Sequence, residues 1–165
     1  LTVRTIVALV PSPLIPLVFS TAGISTPISC QLARPVECSC IFGSKFNKNF
    51  QQLRKMERKL VDIMERVSFM REFHSDNFTV VYQPFFKDAS VYYQNDKKPD
   101  MSMLSVDCFH LSQKGHAISA NGIWNNLMEP VGKKSNGFSH LFEKFHCPTI
   151  RNPFIFTNYN TLNLV

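Results

Sequence analysis

Asp107-Cys108-Phe109-His110 sets a carboxylate and an imidazole three positions apart, with two residues between them. A tight turn over that spacing brings the Asp against the His ring, where it fixes the tautomer and stabilises the imidazolium. His110 is then a general base, a role worth about 10²–10⁴ in rate. Taken alone, the spacing is better explained by an Asp that merely begins a turn and a His that is a polar loop residue. His116 stands six positions further on, where the pattern predicts helix, and reads as a packed or solvent-facing side chain; His74, His140 and His146 have no motif around them. Metal chemistry is not expected. Cys38 and Cys40 have one residue between them where paired zinc ligands usually have two or more, and no His cluster lies near.

The flanking elements read as an α/β layer fold with a largely parallel sheet. "TIVALV" from Thr5 is rich in β-branched residues and predicts a buried strand. The apolar run continues to Phe19, but Pro11, Pro13 and Pro16 would break the helix that a signal peptide or membrane span needs. Between Lys45 and Phe73 the residues Phe46, Phe50, Leu53, Met56, Leu60, Ile63, Val67 and Met70 recur at helical steps, predicting an amphipathic helix with one buried stripe. Asn47 or Asn49 would cap its start. "FTVVYQPFF" from Phe78 to Phe86 predicts a second buried strand, stopped by Pro84. Ser112 is a natural N-cap for a helix whose apolar face would be Ala117, Ala120, Ile123, Trp124, Leu127 and Met128, ended by Pro130 and Gly132. Strand, helix, strand, loop, helix is the βαβ rhythm, and such folds collect reactive groups in loops at strand carboxyl ends. Residues 1–132 therefore read as the domain, and 133–165 as an extended tail or linker.

Length and composition agree with one globular domain of 165 residues. The net charge of +6 does not imply nucleic acid, because the densest basic group, Arg54, Lys55, Arg58, Lys59 and Arg66, is interleaved with Glu57, Asp62 and Glu65. Five cysteines and the acceptor triplet Asn77-Phe78-Thr79 point to the secretory route and to disulfides, with at least one bond expected among Cys30, Cys38 and Cys40.

Taken together, "FTVVYQPFF", "DCFHLSQKGH" and "IWNNLMEPVGKK" resemble the C-terminal part of the phospholipase B catalytic repeat, within the GDSL or SGNH family of lipid esterases. The resemblance is most specific from Val106 to Gly132. It implies a three-layer, flavodoxin-like parallel sheet, of which this chain carries the C-terminal part. It also implies a serine ester hydrolase without cofactor or metal, acting on phospholipid or other acyl-ester lipids at a membrane surface, outside the cell or membrane-associated through the secretory pathway. Asp107 and His110 match the family's catalytic Asp and His. The family's nucleophile lies in a G-D-S block and its oxyanion groups in that block and a G-x-N-D block; neither occurs here. Gly43-Ser44 and Asn95-Asp96 imitate parts of them in the wrong places. The resemblance therefore leaves two readings: a C-terminal segment of such a hydrolase, completed by a missing N-terminal part of the domain, or a catalytically inactive secreted binding or structural fragment.

Overall fold

The computed structural model describes residues 4–12, 27–43, 50–89, 100–137 and 142–161. Strand β1 (Thr5–Leu9) pairs in parallel with β3 (Phe78–Tyr82), Thr5 opposite Phe78 and Leu9 opposite Tyr82. A two-residue strand β2 (His74–Ser75) pairs antiparallel on the far side of β3, giving the order β1-β3-β2. Among the described residues the chain is thus mixed α/β with a small mixed sheet, in which the β1-β3 pair is parallel and the β2-β3 pair antiparallel. Helices are α1 (Ile28–Glu37), α2 (Ser39–Phe42), α3 (Phe50–Val67), α4 (Gln113–Leu127) and the single turn α5 (Asn158–Thr161).

The β-branched runs form strands as expected, but their extents and burial differ. β3 is buried from Thr79 to Tyr82, whereas β1, expected as a buried strand, alternates half-buried and exposed residues with none fully buried and leaves Ile6 49% exposed. β1 lies at the edge of the described sheet and is covered on one face. Beyond it, Pro13 and Pro16 lie outside the described residues. β3 stops at Tyr82, before Pro84, and Pro84–Phe86 tighten into a 3-10 turn. Proline has no N–H to continue the ladder and suits the first position of such a turn.

Helix α3 ends at Val67, not Phe73, and the expected caps Asn47 and Asn49 lie outside the described residues. At its end Ser68 Oγ donates to the Glu65 carbonyl at 2.7 Å, Arg71–Phe73 form a 3-10 turn, and His74 enters β2. His74 is a structural pin. Its Nε2 donates to the Ser68 carbonyl and its Nδ1 accepts from Thr79 Oγ1, both at 2.9 Å, the one neutral tautomer that satisfies both. Asn158 of α5 reaches the same carbonyl at 2.8 Å, so α5 is tied to the end of α3 beside β2.

The buried line of α3 runs through Val61 to Ser68, just past its end, with Leu53 half-buried. Met56, Leu60, Ile63 and Met70 of the expected buried stripe are exposed, and Phe46 lies outside the described residues. The narrow sheet covers one side of the helix, and the apolar stripe lies around from that side.

Helix α4 is capped as expected: Ser112 Oγ accepts from Gly115 N at 3.1 Å. Its buried side, however, is Gly115, Ile118, Ser119, Asn121, Gly122, Asn125 and Asn126, while Ala117 and Ala120 are exposed. Amides and glycines face inward beside Ile118, because much of what this helix meets is backbone and the Phe85 ring. Asn126 accepts from Phe85 N at 3.1 Å and donates to the Ser135 carbonyl at 2.8 Å. Asn125 accepts from His146 N at 2.8 Å and donates to the Lys144 carbonyl at 3.0 Å; Trp124 Nε1 donates to the His146 carbonyl at 2.8 Å. The helix ends before Pro130, and Gly132 takes φ +84° in the following turn.

Gly122 is required by the Phe85 ring, which a Cβ at that position would overlap. Phe85 is 2% exposed and cannot swing clear. Gly122→Ala is expected to destabilise the fold by about 1–3 kcal/mol despite the better helix propensity of alanine. Urea unfolding measures this, and adding Phe85→Leu should restore part of the loss.

Candidate active site

Asp107 and His110 lie in a short loop closed at its base by the Leu104–Leu111 bridge and by Ser105 N donating to the His110 carbonyl at 2.8 Å. Cys108 N donates to the Ser105 carbonyl at 2.9 Å, and Cys108 sits in the left-handed region at φ +60°. That conformation costs a non-glycine residue about 1 kcal/mol or more, so the surroundings must hold it. They do so from α1. Cys30 forms a disulfide with Cys108, and Arg34 Nε donates to the Cys108 carbonyl at 3.5 Å. Phe109 packs on Cys38 and Ile41, against which Phe42 and Leu53 also pack. On the other side Ser112 Oγ donates to the Ser102 carbonyl at 2.6 Å, and Lys114 reaches Asp100 at 2.5 Å.

The loop brings the two sequence-selected residues together. Asp107 Oδ1 accepts from Phe109 N at 2.9 Å and His110 N at 3.0 Å, and its Oδ2 accepts from His110 Nδ1 at 2.8 Å. One carboxylate thus forms the turn and orients the ring. The hydrogen bond from Phe109 N, joined by those from the His110 ring and backbone, holds the Asp107 carboxyl below the usual carboxylate range against an opposing desolvation. The folded value lies below the unfolded one, so this anchoring is complete above the ordinary carboxylate range and is lost as pH falls through the depressed value. With Nδ1 bound, His110 Nε2 carries the free lone pair of the neutral ring, and the side chain is 63% exposed.

The other histidines are elsewhere. His116 is exposed on α4, His74 is the pin described above, His146 is exposed, and His140 lies outside the described residues. Of the two partial imitations of the family's blocks, Gly43 directly follows α2, whereas Ser44, Asn95 and Asp96 lie outside the described residues.

The disulfide departs from expectation. Cys30 pairs with Cys108 and not within the Cys30, Cys38, Cys40 group, because α1 lays Cys30 against the loop with the two Cα atoms 5.2 Å apart. Cys30 and Arg34 are the positioning residues that sequence reasoning missed; a cysteine count carries no pairing, and nothing local marks an arginine that will bond a carbonyl 74 positions away. Cys147 is an exposed free thiol. Among the described residues no group of three or more His, Cys, Asp or Glu side chains could hold a metal ion, and no helix is long and apolar enough to cross a membrane. A cavity of about 200 Å³ lined by Glu65, Ser68, Tyr82, Lys87 and Lys134 contains neither Asp107 nor His110. Burial lowers the Lys134 ammonium to about 8, and its Nζ donates to the Glu129 carbonyl at 2.8 Å, closing the end of α4.

Fold and loop together define a mixed α/β protein with an ordered, solvent-facing Asp–His pair. No protein-family model and no solved structure matches the chain. The chain is homologous to part of phospholipase B1, membrane-associated: it is 37% identical to the Rattus norvegicus protein and 35% identical to the Homo sapiens protein, each over 133 residues, or 79% of this chain. It spans 9% of the length of these relatives.

Proposed function

We propose that the chain is the C-terminal part of a phospholipase B-like lipid esterase domain of the GDSL/SGNH type, with residues 1–132 in the catalytic domain and 133–165 as its tail. The observation that carries this reading is the 2.8 Å contact from His110 Nδ1 to Asp107 Oδ2, which leaves Nε2 free at the surface. His110 Nε2 takes the proton of a serine hydroxyl as that oxygen attacks an acyl-ester carbonyl of a phospholipid or lysophospholipid. Asp107 stabilises the imidazolium so formed. The imidazolium then protonates the departing alcohol, and His110 next activates the water that hydrolyses the acyl-enzyme. No cofactor takes part.

The nucleophile comes from a G-D-S block, and the oxyanion donors from that block and a G-x-N-D block, both in a segment outside these 165 residues. Each oxyanion donor is worth about 10²–10³ in turnover. The Cys30–Cys108 disulfide accords with the secretory pathway and a location outside the cell or at its membrane. The absence of G-D-S from the sequence favours a second reading, an inactive secreted fragment.

The two readings part on one experiment. The 165-residue chain alone is expected to show no turnover of lysophospholipid or short-chain esters. Joined to a segment from a phospholipase B relative that carries both the G-D-S and the G-x-N-D blocks, it should gain turnover together with labelling of the G-D-S serine by a fluorophosphonate. Turnover by the chain alone would overturn the assignment, and a joined, folded domain without turnover would favour the inactive fragment.

A further inference from the structure

Helix α3 presents an apolar stripe to solvent. Met56, Leu60 and Ile63 are 60%, 57% and 46% exposed, and at 100° per residue they fall on one face. The side of the helix that meets the protein is a different one, through Val61 and Ser68. Lys55, Lys59 and Arg66 follow one border of the stripe, all exposed, with Asp62 the one acidic side chain of the helix on that flank. Apolar residues bordered by Lys and Arg on an 18-residue helix are the pattern of a helix that lies in the plane of a bilayer surface, apolar side down, with its cations at anionic headgroups.

We propose that α3 docks the protein on an anionic lipid surface through Met56, Leu60 and Ile63, with Lys55, Lys59 and Arg66 at the headgroups. The basic border selects this occupant over an apolar protein face, which would leave three cations against a low-dielectric surface without counter-charge. The docking helix is next to the candidate chemistry: Leu53 of α3 and Phe109 of the Asp107–His110 loop pack on the same Cys38 and Ile41 pair. The inference rests on the lipid-esterase reading only for what the docking serves, and binding is measured without turnover.

The test is co-sedimentation of the full 165-residue chain with phosphatidylcholine vesicles with and without phosphatidylserine. Binding is expected with phosphatidylserine and should weaken as salt rises. The triple variant Met56→Ser, Leu60→Ser, Ile63→Ser should lose about tenfold or more in vesicle affinity. Lys55→Glu with Lys59→Glu should abolish the preference for phosphatidylserine. Circular dichroism of each variant confirms that α3 remains, and Ile28→Ser with Leu32→Ser, on the exposed face of α1, is the comparison. Absence of wild-type binding overturns the proposal. So does binding lost through α1 but not α3, or a dimer in size-exclusion chromatography that the triple variant dissociates while vesicles are ignored, which would make the stripe a protein interface.

Discussion

His110→Ala, in a domain completed by its G-D-S segment, is expected to lower ester turnover by about 10²–10⁴ with little change in stability. The ring is 63% exposed, and its ordered contacts are the Asp107 carboxylate and an edge of Phe109 at 5.0 Å. Little packing is lost with it. Asp107→Asn separates the two possible roles of the aspartate. The amide oxygen can still accept from Phe109 N and His110 N, so the turn survives. Its NH₂, however, donates where the carboxylate accepted, which places the ring proton on Nε2 and removes the base. In a different fold the equivalent change costs about 10⁴, and a comparable loss is expected here. Asp107→Ala should lose stability as well. His116→Ala, on the exposed side of α4, should retain turnover. Steady-state kinetics with circular dichroism on the four variants decides: if Asp107→Asn and His110→Ala turn over like the parent, the pair is a turn and nothing more.

That pair was legible in the sequence because both its members and its turn are local: three residues of separation contain the whole hydrogen-bonded unit. Ser112 was legible for the same reason, and the β-branched runs at Thr5 and Phe78 announced the two parallel strands. Helix faces were less legible. The periodicity of α4 points to Ala117, Ala120, Ile123, Trp124, Leu127 and Met128. Met128 is buried and Ile123 packs on Phe85, Phe86 and Ala89, but Ala117, Ala120 and Trp124 are exposed. Beside Ile118 the buried side is mostly glycine and asparagine, because what it meets includes the Phe85 ring and the backbone of residues 135, 144 and 146. Hydrophobic periodicity reports only packing against apolar side chains. The α3 stripe shows the converse: the periodicity was real, but no protein layer covers it among the described residues. Long-range ties such as Asn158 with the Ser68 carbonyl, and Cys30 with Cys108, have no local signal at all.

Removing the Cys30–Cys108 bond is expected to have the largest effect on stability. The two cysteines are 78 residues apart, and closing a loop of that length removes about 4.5 kcal/mol of entropy from the unfolded chain in the chain-entropy account, within a usual range of about 2–5 kcal/mol. Cys108 contributes a second effect, since it holds φ +60° between Asp107 and Phe109. Serine there keeps the left-handed cost without the cross-link that imposes it, whereas glycine adopts that conformation freely. Cys30→Ser with Cys108→Ser should therefore be less stable than Cys30→Ser with Cys108→Gly by about 1 kcal/mol. Both should fall well below the oxidised parent in urea unfolding. The serine pair should also lose turnover in the completed domain, because the Asp107–His110 loop would be free to relax away from φ +60°, while the Arg34 contact to the residue 108 carbonyl remains as a partial restraint. Equal unfolding midpoints for the oxidised parent and both double variants would show that the disulfide neither stabilises the fold nor holds the loop.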